Sequence, residues 1–314
     1  MASSQRAVEA PTPTWNSSTL LNIGKIGLLS ALALVALAYT VRWWWLERSR
    51  AAVACAARTP RLADLAVGFV TNFFDTLGIG SFAPTTAYFK LRARMPDDEI
   101  PGTLNAGQAL PTVAQALIFI ATVSVDLITL VSMILAAVVG AWLGVAWVSR
   151  LSRRAIQLGM GGALMCAALL YLAKIAHWTP GIGDALGLHG AQLLFAVAVN
   201  VVLGALMMLG VGLYAPCLIL LSLLGMSPLA AFPIMMGSCG LLMPIGGARF
   251  VRSGRYNLSA AVGLALGGIP GVLVAAFVVK SMPLVWLSWL VIIVVVYAAL
   301  QMLKSAREPK HATL

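Results

Sequence analysis

Charge is scarce in this chain. Asp, Glu, Lys and Arg make up 10% of its 314 residues, and only 10 residues are acidic. A soluble domain carries roughly a quarter charged residues, so a water-exposed globule is excluded. Histidine is rarer still: His177, His189 and His311 are the three present, and all lie outside the long apolar runs. That leaves no buried Ser–His pair. Asp75 is the one acid deep in an apolar run, with no second acid to complete a carboxylate dyad. No His-Glu-x-x-His or other metal-ligand cluster occurs. The expectation is no enzyme, no metal and no cofactor, with an intramembrane hydrolase the weakest alternative. Cys55, Cys166, Cys217 and Cys239 form no Cys-x-x-Cys pair and read as buried, inert thiols. Cys217 and Cys239 stand near a motif described below, where a sulfur-containing ligand would meet them.

Apolar residues fill the space that charge leaves. They make up 61% of the chain, and mean hydropathy is +0.94. Crossing a bilayer takes about 20 apolar residues. Uncharged runs of that order cover Leu127–Ser149, Ala155–Ala173, Tyr256–Val279 and Ser281–Leu303. The fold class that follows is an all-α, polytopic membrane helix bundle. The net charge of +11 would point to nucleic acid in a soluble chain. Here basic residues fall in short clusters between apolar runs, as cytoplasmic loops do, and no nucleic-acid partner is expected. Residues 1–20 are polar, include Pro11 and Pro13, and read as a disordered tail. The run Ile26–Val41 then ends in Arg42, Trp43, Trp44, Trp45 and Arg48. A cleaved signal has basic residues before its apolar run and small ones after it. This run has bulky and basic residues after it instead, so it reads as a retained helix with an interfacial tryptophan anchor. It forms an extra transmembrane helix that, with a basic loop, occupies residues 21–60.

Two segments nearly repeat each other. Leu77–Pro84 reads Leu-Gly-Ile-Gly-Ser-Phe-Ala-Pro, and Leu209–Pro216 reads Leu-Gly-Val-Gly-Leu-Tyr-Ala-Pro. Helix-breaking residues at membrane depth are tolerated where the freed backbone is buried or lines a cavity. Corresponding broken segments in two halves point to a transporter's binding site. Further on, Asn105–Pro111 aligns with Ser238–Pro244 and reads as a second broken segment. Gly140 and Gly144 align with Gly271 and Ala275, a small-residue spacing that close helix packing explains.

Five basic clusters, within 42–61, 90–94, 150–154, 249–255 and 304–310, hold most of the 21 Lys and Arg. If every apolar segment crosses, the second and third clusters fall outside and break the positive-inside rule. If Leu62–Phe89 dips in and returns, all five become cytoplasmic. Each half then holds one re-entrant broken hairpin, at Leu62–Phe89 and about Gln192–Leu224, and three crossing helices. The crossings are placed at 104–122, 127–149 and 155–175, then at 229–248, 257–279 and 284–303. Three crossings per half is odd, so the repeats, 61–176 and 190–304, are expected to have inverted topology. Residues 305–314 form a cytoplasmic tail. The location expected is a cell membrane, multi-pass, of the bacterial inner-membrane kind, with the lipid bilayer as partner; the oligomeric state is left open.

With the duplicated turn and the Gly-x-x-x-Pro segment after each copy (107–111 and 240–244), the chain resembles the sulfite exporter TauE/SafE family of membrane transporters, from about Arg61 to Leu303. The resemblance implies a secondary transporter (permease) for a small anion: sulfite, a sulfonate or another small sulfur- or carboxylate-containing acid. A passive anion channel is the alternative. Where the family often has a glycine run, this chain has Ser81 and Phe82, and Leu213 and Tyr214 in the second copy. The pocket is therefore expected to differ from the sulfite type.

An anion at membrane depth needs donors without the cost of a buried cation. A turn between half-helices supplies N–H groups and the positive end of a helix dipole, and glycine lets the backbone approach closely. The candidate substrate-binding residues are Gly78, Gly80 and Ser81 of the first turn and Gly210, Gly212 and Tyr214 of the second. Asn105, Gln108 and Ser238 join them from the following segments, where ligand contact and interhelical hydrogen bonding both stay open. Gln115, on the face of Gln108, reads as structural. Asp75 is costly at its depth and by default functional. Two roles are open to it: a proton-coupling group, or a cap on the half-helix beyond the turn. Met207 takes its aligned place in the second half, so any proton role is one-sided. Asp64 is expected in a loop ion pair with Arg61. The basic loops set orientation, with Arg249 the one placed to attract anions.

Overall fold

The structure is a computed structural model and describes residues 17–50, 59–148, 153–175, 183–207 and 212–307. Eleven helices and no strand occur among them. They are α1 (Ser17–Ser49), α2 (Leu62–Thr76), α3 (Phe82–Leu91), α4 (Ile100–Thr122), α5 (Leu127–Val148) and α6 (Arg153–Ile175), then α7 (Gly190–Met207), α8 (Tyr214–Leu223), α9 (Pro228–Ser253), α10 (Leu258–Ser281) and α11 (Leu284–Arg307). Six of them, α1, α4, α7, α9, α10 and α11, are long and apolar enough to cross a membrane. Local chemistry sets several ends: Asn257 caps α10 by accepting from the Ala260 N–H, and Gly254, at φ +72°, closes α9.

Both expected hairpins double back. Arg94, just past α3, reaches Asp64 in the first turn of α2 at 2.8 Å. Ala185, ahead of α7, donates to Gly225 O (3.3 Å) beyond α8, and its own carbonyl accepts from the Ser227 N–H (2.9 Å). The two feet stand at opposite ends of the molecule. The first meets the start of α10, where the Ser259 hydroxyl donates to Thr59 O at 2.8 Å, and beside it Thr103 Oγ1 of α4 accepts from the Asn257 N–H at 2.9 Å. The second meets the α4–α5 connection, where the Asp126 N–H donates to Leu186 O at 2.8 Å. Helix α4 spans the distance between them.

Packing is exchanged between the halves: α2 lies on α10, α7 on α5, α4 on α9 and α6 on α11. Small residues permit the close approaches, with Gly271 facing Phe69 O and Gly140 facing Val201 O. Gly68 faces Leu264 O, while Asn200 Nδ2 donates to Met133 O at 2.6 Å. Each position in one of these contacts has its counterpart 131 or 132 residues along the chain. At the centre, Phe119 of α4 stacks on Phe232 of α9, centroids 5.2 Å apart.

Four expectations change. The segments at Asn105–Pro111 and Ser238–Pro244 are not broken: Pro111 and Pro244 lie inside continuous α4 and α9. A proline forfeits one backbone bond, and a helix packed on several sides carries on past it. Trp43 is not a lipid anchor. It is 7% exposed and donates to the Tyr256 hydroxyl (2.9 Å), which in turn donates to Glu47 (2.8 Å); Trp44 and Trp45 remain exposed. Burial and the Glu47 carboxylate push the Tyr256 phenol above its ordinary range. Asp64 is fully buried and pairs with Arg94 rather than Arg61, because α3 brings the chain back over the start of α2. Among the thiols, Cys217 and Cys239 are buried but Cys166 is exposed; Cys55 lies outside the described residues.

Candidate functional site

Helix α2 has two unlike faces. Asp64, Gly68, Thr71, Asn72, Asp75 and Thr76 recur at helical spacing and are buried, while Phe69, Val70 and Phe74 point outward. The helix stops at Thr76, and the chain turns through Gly78 and Gly80 at φ +94° and +90°. Those are conformations only glycine adopts without strain. The turn closes on itself: the Gly78 N–H donates to Asp75 O (2.8 Å) and the Ile79 N–H to Phe74 O (3.1 Å).

The Ser81 N–H donates to Asp75 Oδ1 at 2.7 Å. Ser81 is the N-cap of α3, so the Asp75 carboxyl lies against the positive end of that half-helix. The contact is made at the N-cap residue of α3, with the N–H of Ser81 itself. Its other oxygen, Oδ2, accepts from Gln115 Nε2 at 2.9 Å, and the same amide donates to Thr76 Oγ1 at 3.1 Å. On the far side, the Tyr214 hydroxyl donates to Gln115 Oε1 at 2.8 Å. Tyr214 opens α8 at the second duplicated turn, with Thr112 and Cys239 beside its hydroxyl. The acid of the first turn and the phenol of the second are thus joined through one amide from α4.

Gln108 shares a face of α4 with Thr112 and Gln115. It is fully buried, and neither its amide nitrogen nor its amide oxygen has a partner among the described residues. Buried side-chain polar atoms are bonded in the large majority of cases, so this amide is an open donor and acceptor. Asn72 gives its Nδ2 to Gly68 O (2.8 Å) and leaves its Oδ1 open. A Cβ built on Gly268 of α10 would meet Asn72 Nδ2 at 2.5 Å and the Pro111 ring at 2.6 Å, so α2, α4 and α10 converge there.

The other expected residues are placed variously. Gly78 is buried against Val294 and Leu218, whereas Gly80 and Gly212 each face open space. Gly80 also has an N–H without a partner among the described residues. Asn105 and Ser238 donate to carbonyls of their own helices, Pro101 O and Ile234 O, both at 2.8 Å. Arg249 is exposed. Gly210 lies outside the described residues. Gln115 is the functional candidate that sequence reasoning set aside. The available signal was its position seven residues after Gln108, two amides on one face of an uncharged helix.

Residues 17–171 match the family model described as Sulfite exporter TauE/SafE. The match takes in α1, which the sequence resemblance left out, and stops within α6, whereas the resemblance ran on to Leu303. No curated protein and no solved structure matches the chain.

Proposed function

Proceeding from a chain that carries the TauE/SafE sulfite exporter pattern over residues 17–171, we propose that it is a multi-pass secondary transporter. Its cargo is a small oxyanion, sulfite or a related sulfonate or carboxylate, and its coupling group is Asp75. The opposed feet of the two hairpins and their exchanged packing support the reading of residues 61–176 and 190–304 as inverted repeats.

The observation that carries the proposal is the position of the Asp75 carboxyl. It holds the Ser81 N–H at the start of α3, where an incoming oxyanion finds both N–H donors and a favourable dipole. Two anions cannot share that place without strong repulsion. A proton on Asp75 removes the conflict and leaves the turn free to receive the substrate, with Gly80 giving close backbone approach and the open Gln108 amide a further donor. A proton on Oδ2 also turns that oxygen from acceptor to donor. The Gln115 amide must then rotate to accept it, presenting N–H to Tyr214 instead. Protonation in the first half is in this way felt by the second. Cys239 and Tyr214 are the other titratable groups facing this centre.

The test is uptake into sealed proteoliposomes, reading sulfite, a sulfonate and a carboxylate under an imposed pH gradient. The native chain should drive at least one of these anions with the gradient and bind it more tightly as pH falls. Asp75→Asn should keep binding while losing that pH dependence. Flux that ignores the pH gradient in the native chain would mark a passive channel and overturn the coupling.

A further inference from the structure

The foot of the first hairpin contains a cleft whose lining includes none of the residues placed around Asp75. It measures about 560 Å³ and opens between α2 and α3, with Arg61, Arg92 and Arg94 at its mouth and Ala66, Val67 and Tyr88 along its walls. Arg94 is committed to the buried Asp64. The side chains of Arg61 and Arg92 are exposed and have no hydrogen-bond or ion-pair partner among the described residues, so the mouth carries two unpaired guanidinium groups. The flanks are apolar and outward: Leu62 is 82% exposed and Leu91 86%. Ala63, Phe69 and Val70 continue that surface along α2, and Ala83 and Ala87 along α3.

Cationic groups at one end of an apolar cleft, beside exposed leucines, match the two ends of an amphiphile. Guanidinium binds a phosphate oxyanion through paired N–H donors, and basic pockets between membrane helices hold anionic headgroups. We propose that this cleft binds an anionic phospholipid, its phosphate on Arg61 and Arg92 and an acyl chain against Ala66 and Val67. The three arginines have no counterpart in the second hairpin: Leu193, Leu224 and Met226 stand 132 residues beyond them. One half of the molecule is thereby tied to the anionic leaflet and the other is not.

The experiment uses the purified full chain in neutral detergent. Thermal unfolding is followed while phosphatidylglycerol, phosphatidylcholine or inorganic phosphate is added, and bound lipid is counted by native mass spectrometry. Phosphatidylglycerol should bind on the order of tenfold more tightly than phosphatidylcholine and raise the unfolding temperature more, with inorganic phosphate giving no comparable shift. Arg61→Gln/Arg92→Gln, which removes two exposed and unbonded side chains, should unfold normally in phosphatidylcholine and lose the preference. Arg92→Gln alone should weaken it. Equal effects of the two lipids, or a preference that survives the double variant, would overturn the proposal. A shift reproduced by inorganic phosphate would assign the cleft to a soluble oxyanion instead.

Discussion

Gln115 sits between an acid and a phenol that come from different halves of the chain. Removing its amide leaves Asp75 Oδ2 and the Tyr214 hydroxyl without these partners, at about 1–3 kcal/mol for each group left unsatisfied. Gln115→Leu is therefore expected to lower the unfolding temperature clearly, and to uncouple anion binding from pH. A variant as stable as the parent would show that the hydrogen-bonded chain carries no weight. Sequence alone made Asp75 conspicuous, because one carboxylate in a long apolar run has few structural explanations. It left Gln115 unremarkable, because an amide in an apolar helix has many. The difference lay in which side chain faced Asp75, and only packing settles that. Asp64 shows the same limit: its neighbour in sequence is Arg61, its neighbour in space Arg94.

Elements were the most legible level. Uncharged runs marked α4, α5, α6, α9, α10 and α11 to within a few residues at most ends, and the first Gly-x-Gly turn marked the break between α2 and α3; most of the second turn lies outside the described residues. Small-residue spacing in α10 was read as packing, and the contacts agree. Gly267 faces Leu65 O and Gly271 faces Phe69 O, so α2 and α10 touch backbone to backbone. Gly267→Val is expected to force these helices apart and to cost several kcal/mol, as overpacking does. It should appear as loss of folded protein in fluorescence-detected size exclusion. Gly159→Ala, with nothing within 4 Å of the added carbon, should run as the parent does. Misreadings arose where one residue type has two uses. Pro111 and Pro244 looked like breaks but sit in unbroken helices, and Trp43 looked like a lipid anchor but docks α1 onto Tyr256.

At the scale of the whole molecule the two hairpins face opposite ends, and that arrangement predicts opposite accessibility. Asp97→Cys marks the first foot and Leu186→Cys the second, each introduced into a chain whose native cysteines are replaced. A membrane-impermeant maleimide applied to intact cells should label Leu186→Cys and spare Asp97→Cys until the membrane is opened. Labelling of both from one side would refute the inverted arrangement.

Composition and pattern by themselves determined that the chain is a helical membrane protein and where its helices run, because burying backbone in lipid leaves few alternatives. They also located the duplicated turns and the single deep acid, since glycine pairs and a lone carboxylate stand out against apolar sequence. What only the tertiary structure decided is who faces whom. It set the exchange of α2 and α7 between halves and the return of Arg94 onto Asp64, and it joined Asp75 to Tyr214 through Gln115. Those are contacts between residues far apart in sequence, made by side-chain direction and close packing, and no local pattern encodes them.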